Sequence, residues 1–438
     1  MLEKLFGLKA HGTSIRIEVV AGFTTFLTMI YIVVVNPAIL GDAGMPVGAV
    51  AVATCLAAGF GSLLMGFIAN TPLALAPGMG LNAYFTYTVV KGMGVPWETA
   101  LGCVFISGAA FLVLTLVGAR QLIVNAIPRS LFAAVAGGIG LFIAFIGFKD
   151  AGIIVASPAT TVGLGDLTSP TAIVALVGLV VIGVLLARKV KAAMLIGILF
   201  AAVAGWLLGL VHTGAANYCV TAVTATAFKL DLMGAFNLKG NLAFTVVEII
   251  FVFLFVDLFD NVGTLVAVTK RAGLVDKDGT IPRLNRILFA DSLAAMAGAL
   301  VGTSTVTSYI ESAAGVSAGG RTGLTAVVVG LLFLLTLFIA PWVEAIPTAA
   351  TAPALILVGA LMVGALGEVE WADPVIAIPA FLTLITIPLT YSIANGLAFG
   401  ITAYAALTLL TGRAKLKDWL LFVLAGLFIL RLIYLAKG

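Results

Sequence analysis

The chain has 438 residues, 62% of them hydrophobic and 10% charged, with a mean hydropathy of +1.22 and a formal net charge of +4. Soluble globular chains carry about half apolar and about a quarter charged residues, so these figures exclude a soluble enzyme or binding domain and require a polytopic, all-α membrane protein embedded in a lipid bilayer. Cys55, Cys103 and Cys219 have no metal-ligand spacing, and His11 and His212 sit at segment ends, which argues against a disulfide framework, a zinc site and a histidine proton relay.

Residues 1–20 hold Lys4, Lys9, Arg16 and Glu18 and lack a short apolar core followed by a small-residue cleavage site, so this end is expected in the mature protein. Hydropathy punctuated by Gly, Pro and charge then predicts spans over 15–40, 46–69, 72–92, 96–118, 128–147, 171–187 and 192–211. A polar interval, 212–240, separates these from a second set over 241–269, 285–302, 305–318, 322–340, 351–367, 374–389 and 392–411, fourteen in all. A last apolar stretch, 418–436, contains Arg431 and either spans, lies at the interface or covers a partner surface. With a cytoplasmic N-terminus, 17 Lys and Arg fall in inner loops and 4 in outer ones (Lys91, Lys149, Lys229 and Lys239), the asymmetry that positive residues impose on short loops.

Seven spans in each half force inverted topology, and the third span of each half is unusually rich in Gly, Pro or small polar residues. In the first, Pro72 and Pro77 do not fit a helix interior, and Pro77, Gly78 and Gly80 predict an extended run that turns helical near Leu81 or Asn82. In the second, residues 302–320 are small and polar around a single carboxylate, Glu311, which hydrocarbon would leave unsatisfied. Both segments are therefore expected to be broken helices around a binding site.

The span over 241–269 carries FVDLFDNVGT, residues 255–264, in which Asp257, Asp260, Asn261 and Thr264 are expected on one helix face. Intramembrane carboxylates are costly enough to imply function, although one of this pair could instead cap a half-helix. Glu248 lies on another face near the span end and reads as interfacial. Asp260 and Glu311 offer acceptors, Asn82 a donor and an acceptor, and the backbone at 81–83 and 309–311 donors at helix starts. A planar heterocycle suits that inventory, with Phe259, Tyr84 and Phe85 as stacking candidates and Thr24, Thr25, Thr28 and Tyr31 completing the wall. Asn36-Pro37-Ala38 occurs once, where water channels need two such triplets, and Gly163-Leu-Gly-Asp166 lies in a polar outer loop, away from any partner of the intramembrane aspartyl protease kind. No phosphate-binding loop or metal cluster is evident, so neither a cofactor nor a nucleic-acid partner is expected.

Four motifs in order resemble the AzgA type of purine permease, within the nucleobase permease superfamily that includes the bacterial uracil permease: AGFTTFLTMIY at 21–31, APGMGLNAY at 76–84, VDLFDNVGT at 256–264 and GTSTVTSYIES at 302–312. The resemblance implies a fourteen-helix inverted repeat. A core domain, 15–118 with 241–340, would move against a gate domain, 128–211 with 351–411, in an elevator motion, with 212–240 as the inter-repeat loop. It implies a multi-pass permease of the cell membrane that imports adenine, guanine, hypoxanthine or xanthine by proton symport, as a homodimer through the gate. By the same resemblance Asp260 and Glu311 contact the base and couple the proton; Asn82, Asp257, Thr25, Gly80, Leu81, Tyr84, Phe259, Thr307 and Ser308 complete the site. The alternatives are a pyrimidine or small-anion carrier on the same fold and, from another class, an aspartyl hydrolase using Asp166 with Asp257 or Asp260.

Overall fold

With only itself as a hydrogen-bond partner in hydrocarbon, the backbone of these apolar runs forms helices. In chain order the elements are α1 (Leu2–Phe6), α2 (Ile15–Met29), α3 (Ile32–Gly41), α4 (Val47–Leu64), β1 (Leu75–Pro77), α5 (Met79–Ala83), α6 (Trp97–Val117), α7 (Arg129–Asp150), β2 (Ile154–Ser157), β3 (Thr161–Leu164), α8 (Pro170–Ala187), α9 (Ala193–Leu207) and α10 (Leu232–Phe236). The second half adds α11 (Asn241–Arg271), α12 (Leu284–Val301), β4 (Val306–Ser308), α13 (Ser312–Ser317), α14 (Gly323–Leu335), α15 (Thr348–Val363), α16 (Pro374–Thr390), α17 (Ile393–Leu410) and α18 (Trp419–Leu435). This computed structural model describes residues 2–118, 128–210, 220–236, 241–274, 281, 283–338, 343, 346–415 and 418–435. Arg120, His212, Cys219, Lys239, Lys277, Lys417 and Lys437 lie outside the described residues.

Among the described residues, nine helices are long and apolar enough to cross a membrane, and four shorter apolar helices accompany them, each on a predicted span or on the 418–436 stretch. Nine differs from the fourteen of the hydropathy reading for physical reasons: some apolar helices stop short of 18 residues, and segments 72–92 and 305–318 are not uniform helices. Each of those two opens on a three-residue strand. β1 and β4 pair antiparallel in the register Leu75 to Ser308, Ala76 to Thr307 and Pro77 to Val306. Flanking bonds run from Gly78 N–H to Thr305 O at 2.9 Å and from Tyr309 N–H to Ala74 O at 3.0 Å, so the two segments satisfy part of each other's backbone in the protein interior.

Behind these strands lies a buried polar network. Asn36 donates to Thr54 Oγ1 at 2.7 Å and to Thr303 Oγ1 at 2.9 Å, and its own Oδ1 accepts from Asn82 Nδ2 at 2.5 Å; Ser304 in turn donates to Asn82 Oδ1. A second knot joins α2 to the start of α14. The Glu18 carboxylate, fully buried, accepts from the amides of Arg321 at 2.9 Å, Thr322 at 3.3 Å and Thr325 at 3.2 Å, and from the Thr325 hydroxyl at 2.6 Å. It answers the orphan N–H groups that every helix start leaves.

Two sets of helices pack most closely. α7 lies along α15 and α16, and α16 along α17; separately α6 lies along α12, and α14 along α4 and α2. Glu248 departs from its interfacial reading. It is buried and paired with Arg431 of α18 at 2.7 Å, because α18 covers that face of α11 and removes it from the interface.

Candidate functional site

A cavity of about 510 Å³ lies between the two sets. One wall is α7, through Phe132, Val135, Ala136 and Ile139, with α15 and the turn after it, through Val358, Leu361, Met362, Ala365 and Glu368. The other is built from the two broken segments, Gly78 to Leu81 and Ser308 to Glu311, with Tyr31 and the Val256, Phe259, Asp260, Gly263 and Thr264 stripe of α11. Glu368 is exposed, so the cavity meets the surface there.

Local chemistry sets each wall. β1 ends at Pro77, and Gly78 is the cap from which α5 starts; the first intrahelical bond is Asn82 N–H to Gly78 O at 2.9 Å. The amides of the first turn of α5, Met79 to Leu81, thus have no intrahelical acceptor and stand where the cavity begins. Gly80 makes this possible, since a Cβ there would run into the Ile139 side chain of α7. Glu311 precedes α13, is half-buried, and accepts a 2.7 Å hydrogen bond from the Tyr31 hydroxyl. Tyr309 is anchored by its own hydroxyl to Pro77 O at 2.5 Å, which fixes one broken segment to the other. Two carboxylates, Asp260 and Glu311, therefore face one cavity with half-helix amides close by, and the paired rings of Phe259 and Phe132 stand at its edge, with centroids 4.1 Å apart.

Of the expected site residues, Tyr31, Gly80, Leu81, Phe259, Asp260, Thr264, Ser308 and Glu311 line the cavity, whereas Thr25, Asn82, Tyr84, Asp257 and Thr307 do not. Asn82 is turned into the Asn36 network, and Thr307 faces the opposite side of β4 from Ser308, as strand alternation demands. Thr25 is buried against Gly315, which has no side chain to keep α2 and α13 apart. Tyr84 is buried edge-on to Phe253 at 5.1 Å. Asp257 is buried behind the cavity wall. The expectation of one shared face for α11 is thus narrowed: relative to Asp260, Val256, Phe259 and Gly263 lie to one side and Thr264 about 40° to the other, whereas Asp257 and Asn261, at about 60° and about 100° on the Thr264 side, fall outside the stripe. Asp166 is exposed in the turn after β3, where the Thr168 amide and hydroxyl hold its carboxyl below the ordinary range, and it does not approach the cavity.

Phe132 and Glu368 are cavity residues that sequence reasoning missed. Phe132 is one of 27 phenylalanines, and nothing in its local pattern signals that α7 folds against α11. Among the described residues, no group of three or more His, Cys, Asp or Glu is placed to hold a metal ion.

Known proteins fit this architecture. The adenine permease AdeP of Escherichia coli (strain K12) is 46% identical over 435 residues, covering 99% of this chain and 96% of AdeP. The guanine/hypoxanthine permease PbuG of Bacillus subtilis (strain 168) is 44% identical over 443 residues, covering 99% of this chain and 100% of PbuG. The transmembrane domain of the cyanobacterium bicarbonate transporter BicA superposes with a TM-score of 0.63 at 14% identity, covering 94% of this chain and 97% of that one, which shows a shared fold. The profile described as "Permease family", Xan_ur_permease, matches residues 16–427. A multi-pass helical bundle with a pair of short strands beside its cavity, matched along almost its whole length by that profile and by permeases, belongs to the Xan_ur_permease family and is a transporter rather than an enzyme.

Proposed function

We propose that the chain imports purine nucleobases by proton symport, with alternating access through an elevator motion. The observation that carries this is the placement of Asp260 and Glu311 on one wall of a 510 Å³ cavity whose opposite wall belongs to other helices. Its volume is within the range of small-molecule sites, and carboxylates beside half-helix amides suit the mixed donor and acceptor edge of a purine. The permeases AdeP and PbuG, named for adenine and for guanine and hypoxanthine, support a purine over a pyrimidine. In this reading residues 15–118 and 241–340 move as the core against a gate of 128–211 and 351–411. The N-terminus is cytoplasmic, fourteen crossings form the two inverted halves, and at least one of the two carboxylates takes up and releases the coupled proton.

Uptake of radiolabelled adenine, guanine, hypoxanthine and uracil into proteoliposomes with an imposed inward proton gradient tests the proposal. A purine is expected to accumulate and to leak back when a protonophore collapses the gradient. Movement of uracil alone, or of none of the four, sinks it.

Phe132 is expected to stack on the base with Phe259. Loss of one stacking face is worth about 1–3 kcal/mol by analogy with bases on aromatic platforms, so Phe132→Ala should raise the half-saturating purine concentration by roughly tenfold or more, while Phe132→Tyr stays near the parent. Equal half-saturation in all three proteins would remove Phe132 from the site.

A further inference from the structure

α18 places an arginine in the apolar interior. Arg431 Nη2 lies 2.7 Å from Glu248 Oε1 of α11, with 7% and 6% of the two side chains exposed. Nearby, Phe428 meets the edge of Phe251, with centroids 5.6 Å apart. The two contacts step in opposite senses: three residues back along α18 correspond to three residues forward along α11, so these helices run antiparallel. α18 also packs along α17, which it follows in the chain after residues 411–418. Leu421, Leu424, Ala425 and Phe428 are buried, whereas Trp419, Val423, Leu427 and Leu430 are exposed, giving one face to protein and one to lipid.

A helix of 17 residues is about 25 Å long, close to the hydrocarbon thickness. Polar charge at that depth persists only when paired inside the protein, and here it is. We infer that α18 is a further membrane crossing, which carries the C-terminal end to the face opposite residues 411–418. It straps α11, the helix that presents Asp260, to α17, with Glu248 and Arg431 as the fastening. The strap rests on the alternating-access reading, in which α11 and α17 belong to bodies that slide past each other; the crossing does not. In that motion the ion pair holds one arrangement, and it has to part for the other to form.

Three measurements decide it. First, an epitope tag fused after Gly438 and one inserted after Gly412 are digested with protease in right-side-out and inverted vesicles. Opposite sidedness is expected; the same side overturns the crossing. Second, Glu248→Met and Arg431→Met singly strand a buried charge and should lower the yield of monodisperse protein by about tenfold or more, while the double variant regains most of it, since a buried pair replaced by apolar groups is often neutral. Independent, additive losses overturn the fastening. Third, Phe251→Cys with Phe428→Cys, bridged by a short bis-methanethiosulfonate, should lose uptake by at least about tenfold while still binding purine, with recovery on reduction. Undiminished uptake after bridging overturns the strap. If the unbridged protein binds no purine, the substrate reading fails, while the tag result still decides the crossing.

Discussion

Glu311→Gln is expected to reduce proton-driven purine uptake by about a hundredfold, with the protein still folded and membrane-inserted. The amide keeps the size of the side chain and an oxygen to receive the Tyr31 hydroxyl, now at 2.7 Å from Glu311 Oε1, so the broken segment stays in place. What is lost is the negative charge and one of the acceptors facing the cavity. A hydrogen bond to a charged group is worth about 1.5–3 kcal/mol, or roughly one to two decades in binding. The variant also lacks a titratable group, so any uptake that survives should no longer be concentrative. Counterflow exchange at equal pH, measured beside gradient-driven uptake, separates the two losses. Asp260→Asn is the companion: if Glu311→Gln keeps concentrative uptake within about threefold of the parent while Asp260→Asn abolishes it, the proton belongs to Asp260 and Glu311 is only a contact.

The second large effect concerns the fold. Glu18→Ala leaves the Arg321 and Thr322 amides at the start of α14 without their acceptor and weakens the bonding of Thr325, whose amide keeps Thr322 O at 3.2 Å and whose hydroxyl keeps Glu18 O at 3.4 Å. Each such group costs about 1–3 kcal/mol when stranded, and water reaching the gap offsets part of the sum, so a net loss on the order of 4 kcal/mol is expected. Glu18→Gln, which keeps one acceptor oxygen, should lose about half as much. Thermal unfolding in detergent followed by fluorescence size exclusion checks both. An Ala variant as stable as the parent would mean that solvent or a neighbouring group replaces the carboxylate without cost.

Why some of this was legible in the chain and some was not has a physical basis. Pro72, Pro77 and Gly78 in one segment, and the polar run around Glu311 in the other, violate helix and lipid rules so plainly that their broken geometry follows from local chemistry. Asp260 stands out for the same reason. Asn82 suits a base edge by type, yet Asn36 and Ser304 claim its hydrogen bonds, and those partners come from far along the chain. Periodicity tells which residues share a helix face but not what that face meets. Hence Asp257 and Asp260 read as one group although only Asp260 reaches the cavity, Phe132 carries no signal, and Glu248 reads as interfacial until Arg431 stands beside it.

The pairing of β1 with β4 bears on how the protein is made. Leu75 and Ser308 face each other across the strand pair although more than two hundred residues of chain separate them. A ribosome therefore inserts β1 long before its partner exists: Ser62 of α4 meets the Leu75 amide and carbonyl, but the Ala74 carbonyl and the Gly78 amide have to wait for the β4 segment in a membrane that offers no other strand. Substrate recognition is consequently a late product of biogenesis. A polypeptide arrested before residue 241 contains Gly80 and Leu81 but no formed site, and mutations that slow insertion of the later helices would lengthen the time during which quality-control proteases meet an open strand edge.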